Sequence, residues 1–171
     1  MELLIPGLIL VALMVWASTR IKRSAAGAFK AEHVEGDGFA LDKPDGFLNK
    51  HFDNSEYLFD AYSKDYGTGL AENVRAATAI VFSSDESINE AASLEQSRLE
   101  KSDRSERFEL GGNHCIIVTG QLVRDGHLFN VSEKLLECGG RTIVLKIEAL
   151  SDAREELSRK VEQLLLSFSP R

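Results

Sequence analysis

Few side chains in this sequence invite chemistry, and the clearest candidates are adjacent. His114 and Cys115 put an imidazole beside a thiol, the pair that cysteine nucleophiles use. On a strand, however, neighbouring residues point to opposite faces, so the two cannot touch. The Asp125-Gly126 dipeptide between Val123 and Leu128 is a strong two-residue hairpin signal. A turn there sets Cys115 across from Leu136 and His114 across from Glu137. Cys115 and Cys138 then share a face one diagonal step apart, roughly 7–8 Å, which is too far for an unstrained disulfide. A bulge in the middle strand, where Glu133 and Lys134 interrupt the apolar pattern, would shift that spacing. Without it, the thiols read as two buried, reduced small hydrophobes.

The other candidates lack context. His33, His51, His114 and His127 have no close ligand spacing, and His114 and His127 stand at opposite ends of one hairpin, so no metal is expected. Gly111-Gly112 and Gly139-Gly140 precede strands, not helices, so they are turns and not phosphate cradles. Ser, His and Asp are all present, but nothing local assembles them. No catalytic residue and no cofactor are expected. The acidic stretch Asp85, Glu86, Glu90, Glu95 and Glu100 reads either as a solvated helix face or as a docking strip for a basic partner.

The chain has 171 residues, with 20 Lys+Arg against 27 Asp+Glu, two Cys and a net charge of −7. This length holds one ordinary domain, and the cysteine count excludes a disulfide scaffold or a four-Cys zinc module. The negative balance argues against a nucleic-acid partner. Charge is unevenly placed: residues 1–30 hold Arg20, Lys22, Arg23 and Lys30 against Glu2 alone, which leaves −10 on the remainder.

That basic end follows an uncharged run containing Leu3, Leu4, Ile5, Leu8, Ile9, Leu10, Val11, Leu13, Met14, Val15 and Trp16. Extended to Thr19 as a helix it reaches ~26 Å, the short end of what spans a bilayer. Three readings compete: an uncleaved transmembrane anchor, a cleaved secretory signal and a buried core helix. The bases follow the run instead of preceding it, and the run is apolar on all sides, which favours the anchor. Arg20, Lys22 and Arg23 then act as topology determinants and keep the C-terminal domain on the cytoplasmic side. The expectation is a single-pass membrane protein with the lipid bilayer as a partner. Residues 1–23 form the anchor with its basic flank, 24–38 a small-residue tether, and 39–171 one globular domain.

Within that domain, Phe39–Lys43 reads as a strand turned by Pro44-Asp45-Gly46. Residues 54–66 read as a short helix, with a strand through Tyr57-Leu58-Phe59 as the alternative. Ala76–Phe82 is expected to be a strand. Ser83 and Glu86 have capping-box spacing ahead of a helix to about Lys101, whose stripe is Ile88, Ala91, Ala92, Leu94, Glu95 and Leu99. Strands are predicted near His114–Arg124, His127–Cys138 and Arg141–Ala149. A last helix, capped by Asp152 with Glu155, is expected to place Ala153, Leu157, Val161, Leu164, Leu165 and Phe168 on one face. Ile116-Ile117-Val118 and Ile143-Val144-Leu145 are apolar on consecutive residues, so both faces of the sheet are covered. The expected class is α/β (α+β): a single transmembrane helix, then an antiparallel sheet with helices on both faces, in a three-layer sandwich.

The opening Phe39, Leu41, Pro44, Gly46 and Phe47, the middle helix, the Gly-Gly-led meander and the ending Leu166-Ser167-Phe168 together resemble the PsbP-like α/β/α sandwich fold over about residues 39–168. The resemblance implies a non-catalytic binding or assembly factor. The expected function is a membrane-anchored, non-enzymatic accessory or assembly subunit of a membrane protein complex. A small-ligand carrier or sensor is the second reading, and an enzyme using Cys115 or Cys138 the third.

Overall fold

Strand-forming sequence dominates this chain, and in the computed structural model it produces two antiparallel sheets. The structure describes residues 11–20, 27–50 and 56–171. Three strands form the small sheet: β1 (Glu32–Gly36), β2 (Phe39–Lys43) and β10 (Ser169–Pro170), in the order β1-β2-β10. The large sheet takes β3 (Phe47–Asn49), β4 (Phe59–Ser63), β5 (Ala77–Ser84), β6 (Lys101–Leu110), β7 (Asn113–Arg124), β8 (His127–Cys138) and β9 (Arg141–Leu150). Its order is β3-β4-β5-β9-β8-β7-β6. The helices are α1 (described over 11–20), α2 (Ile88–Arg98) and α3 (Glu155–Ser167).

The hairpins set the register. Asp125 and Gly126 both have positive φ (52° and 77°), the conformation a tight antiparallel turn demands. It pairs Arg124 with His127 and, nine residues along, Cys115 with Leu136. β8 then runs through Glu133 and Lys134 in unbroken register with both neighbours. No bulge forms there; the irregularity lies in β6, between Ser102 and Arg104.

Alternation on β7, β8 and β9 divides the core. Ile88, Ala91 and Ala92 of α2 pack on Ile116, Val118, Leu135 and Val144. Cys115, Leu136, Ile143, Leu145 and Ile147 point the other way, against Leu157, Leu164 and Phe168 and against Phe39 and Leu41 of the small sheet. Phe39 and Phe168 stack at 5.8 Å between ring centroids, tying the chain's end to β2.

Several expectations are corrected. The α/β class with helices on both faces gives way to a mostly β fold, with two antiparallel sheets and short helices. Part of one face is covered by β1-β2-β10, where a helix was expected. The helix over 54–66 is also replaced. Phe59, Ala61 and Ser63 alternate inward and form β4, because their register with β5 buries them (residue 54 is outside the described residues). Residues 32–36, assigned to a tether, form β1. The capping box opens four residues late, at Ser87 and Glu90, and α3 starts after Arg154 with no side-chain cap, so Asp152 does not cap it. Ser83 and Ser84 are still in β5, paired with Ile143 and Thr142, and a ladder residue cannot cap a helix.

The anchor is corrected as well. Among the described residues no helix is long and apolar enough to cross a membrane. This overturns the single-pass membrane location with a cytoplasmic C-terminal domain, and the bilayer as a partner through that helix. Val11, Leu13, Met14, Val15 and Trp16 are exposed, and the Arg20 guanidinium lies over the Trp16 ring at 5.3 Å. Leu3, Leu4, Ile5, Leu8, Ile9, Leu10, Lys22 and Arg23 lie outside the described residues.

Candidate functional site

The residues singled out for chemistry are placed apart. Cys115 is buried on the α3 side of β7; burial pushes its thiol up, although Lys134 and a backbone bond at Leu110 oppose this. Such a thiol is a poor nucleophile. Cys138 is half-buried, and both cysteines are free. His114 is exposed on the other face, 3.9 Å from Glu109 of β6. His33 accompanies its register partner Asp42 at 2.6 Å, a hydrogen bond that raises its pKa despite slight desolvation. His51 is outside the described residues, and among those described no group of His, Cys, Asp and Glu is arranged to hold a metal.

The acidic stretch also separates. Glu86 bonds Ser84 at 3.0 Å, and Glu90 closes the capping box with Ser87. Glu95 turns inward and is only 2% exposed. No continuous acidic strip remains on α2.

Glu95 leads to the cluster that sequence reasoning missed. Glu133 on β8 and Lys146 on β9 are register partners beneath α2. Lys146 Nζ lies 2.9 Å from Glu133 Oε1 and donates to Glu95 Oε2 at 3.0 Å. Arg98, one turn along α2, holds the other oxygen of Glu95. The Glu133 contact is off the hydrogen-bonding direction, so neither of its carboxylate oxygens has an in-line donor. Burial therefore pushes Glu133 up to about 7, with Lys146 opposing and Glu95 adding to the rise. Burial pulls Lys146 down, but the two carboxyls outweigh it and hold the ammonium above its ordinary value. Lys146 stays charged, while Glu133 takes up or releases a proton near neutrality.

On the opposite face, Lys134 is also buried, donating to the Leu165 carbonyl at 3.1 Å at the C-terminal end of α3. The negative end of the helix dipole suits a cation there. Burial pulls this lysine's pKa down.

The Lys146 cluster borders a groove. α2 lies over β7, β8 and β9, leaving the face of β4 and β5 open beside it. The open space is about 490 Å³, floored by Thr78, Ile80 and Phe82. Its walls carry Lys50, Arg98, Arg124 and Lys146 among Tyr57, Asp60 and Glu148. Arg124 bonds Glu148 at 2.6 Å and stacks over Phe129 at 4.8 Å, which fixes its plane. Lys50 stands 3.4 Å from Asp60. Arg98 and Arg124 are about half exposed, and each engages a carboxylate through one terminal nitrogen. A guanidinium offers five N–H donors, so both retain donors for a further anionic group. Four cations converge here in a chain whose net charge is −7.

The sequence signals for this site were a Glu-Lys pair inside a strand buried on both faces, and Glu95 in the apolar stripe of α2. Both contradict local patterning, and buried charges must find partners. Which strands meet under α2 is set only by the sheet order.

No protein-family model matches the chain. No curated protein matches it. Solved structures do. LpqN, described as involved in cell envelope biogenesis of Mycobacterium tuberculosis, aligns with a TM-score of 0.57 at 16% identity, over 82% of this chain and 90% of its own. Cyanobacterial PsbP (CyanoP) from Synechocystis sp. PCC 6803 aligns with a TM-score of 0.57 at 9% identity, over 84% and 94%. A protein of Bacteroides thetaiotaomicron VPI-5482 aligns at 0.52 and 11% identity, over 84% of this chain but 49% of its own. Identities this low speak for the fold alone, and the fold they share with this chain is the PsbP-like one.

Proposed function

We propose that this chain is a non-catalytic accessory domain that takes an acidic segment of a partner protein in the groove beside α2. The convergence of Lys50, Arg98, Arg124 and Lys146 over an apolar floor carries the reading. Arg98 and Arg124 are held in place by Glu95 and Glu148, so their remaining donors are oriented before any partner arrives. Ile80 and Phe82 supply apolar contact between the charges.

The remaining chemistry favours binding over catalysis. Glu133 has a suitable pKa for proton transfer, but it is fully buried and no substrate reaches it. The Cys115 thiol is raised by burial and does not face the groove. The PsbP-like fold is shared with proteins described in connection with cell envelope biogenesis and with cyanobacterial PsbP, and supports an accessory role by analogy only.

The test is a nuclear magnetic resonance titration of the full chain with hexaglutamate and, separately, with succinate. Salt-sensitive shifts at Ile80, Arg98, Arg124 and Lys146 with hexaglutamate, absent with hexalysine, support the proposal. Shifts with succinate alone overturn it in favour of a small-ligand carrier. Silence with both overturns the groove as a binding site.

A further inference from the structure

Among the described residues the longest exposed edge is β6, the terminal strand of the large sheet. It pairs only with β7, and its residues from Lys101 to Glu109 are all exposed. An open ten-residue edge presents a row of unpaired N–H and C=O groups, a template for another strand. The opposite edge, β3, is three residues long and offers no comparable template.

The hairpin decides which backbone groups face outward. Gly111 and Gly112, with φ of 61° and 82°, turn the chain so that Leu110 pairs with Asn113. In such a turn the Leu110 carbonyl accepts from the Asn113 N–H, so Leu110 faces β7. Backbone direction alternates along a strand, which turns Glu109, Arg107 and Ser105 outward.

Charge then selects a register. If a second β6 runs antiparallel with Ser105 opposite Ser105, Arg104 meets Glu106, Asp103 meets Arg107 and Lys101 meets Glu109. Every charged pair is of opposite sign. Shifting the centre to residue 104 or 106 places Arg104 against itself or Glu106 against itself. Offsets of one residue oppose Arg104 to Arg107 or Asp103 to Glu106. Among the registers centred on residues 103 to 107, the one centred on Ser105 alone avoids like charges, and it puts the outward-facing Ser105 on the two-fold axis.

Within one chain, Arg104 bonds Glu106, and Lys101 bonds Asp103 at 3.0 Å. Pairing two copies closes the first of these into a ring of four alternating charges around Ser105. Arg107 has no ion-pair partner among the described residues of its own chain, and the register brings it Asp103 of the second copy. The bulge between Ser102 and Arg104 falls at Asp103, so the regular ladder about the axis is Arg104–Glu106 on each strand, and the charges of Asp103 and Lys101 meet Arg107 and Glu109 beyond it.

We propose that β6 is a self-association edge: two copies of this chain pair antiparallel about Ser105, joining their large sheets into one.

Sedimentation of the full chain over a concentration series at low salt tests this. The mass is expected to climb from 18.9 kDa toward twice that value. Arg104→Glu and Glu106→Arg each place like charges across the axis and should weaken self-association on the order of tenfold. An equimolar mixture of these two variants should form a heterodimer, and the double variant should regain the wild-type dimer. Both side chains are exposed, and circular dichroism confirms that the variants fold. A wild-type mass that stays at 18.9 kDa at all concentrations overturns the proposal. So does a dimer indifferent to both substitutions, or single variants that fail to combine.

Discussion

Glu133 and Lys146 face each other across β8 and β9, with Lys146 Nζ 2.9 Å from the carboxylate of a residue that has no solvent exposure. The ion pair sits beneath α2 in an otherwise apolar layer of Val118, Leu135 and Val144. Water does not reach the Glu133 carboxylate, so its protonation and its pairing are both coupled to folding.

Glu133 should make stability depend on pH. Its pKa rises from 4.5 to about 7 in the folded chain, so the native state holds a proton that the unfolded chain releases. This contribution is fully present below 4.5 and is lost as pH rises through about 7. Glu133→Gln removes the titration. Thermal melting should show the variant gaining on the wild type between pH 5 and pH 8. A constant difference in Tm across that range would remove Glu133 as the titrating group.

Breaking the pair from the cationic side should be costly. Lys146→Met leaves Glu133 and Glu95 together without their shared ammonium. A loss of about 3 kcal/mol is expected in urea unfolding. Adding Glu133→Leu removes the second buried charge and should restore most of that loss, since Arg98 still holds Glu95.

The two cysteines should differ in reactivity. Cys115 is 1% exposed with its thiol pushed up by burial, whereas Cys138 is half-buried at the end of β8. Alkylation of the native chain, read by peptide mass, should modify Cys138 and spare Cys115 until denaturant is added. Early modification of Cys115 would show that β7 opens locally.

Gly120 is required for space. A Cβ there would lie 2.3 Å from the Lys101 carbonyl oxygen and 2.7 Å from Leu99, where the chain leaves α2 and enters β6. Gly120→Ala should cost about 1–3 kcal/mol, measured by chemical unfolding. Because Ser102 pairs with Gly120 beside the bulge, the same substitution should loosen the start of β6 in hydrogen exchange.

Local chemistry made much of the large sheet legible. Asp125-Gly126 and Gly139-Gly140 adopt positive φ, and each tolerates one tight turn, so the register of β7, β8 and β9 follows from sequence. The apolar triplets through Ile116 and Val144 announced a sheet buried on both faces. β6 was less legible, because its charged residues follow no alternating apolar pattern; they form a strand through pairing with β7. β4 was read as a helix because Leu58, Ala61 and Tyr62 also fit a helical spacing, and only the partner strand resolved the ambiguity.

By itself, then, the sequence determined the hairpins, the face that α3 buries and the resemblance to the PsbP-like fold. Those are short-range properties, set by turn residues and by the period of apolar side chains. The tertiary structure alone decided that Glu95, Glu133 and Lys146, drawn from three elements, meet under α2 and open beside a cationic groove. It also decided that β6 lies at the sheet's edge. Both depend on strand order, and strand order is fixed by which apolar faces must be covered together, a long-range condition that no local run of residues records.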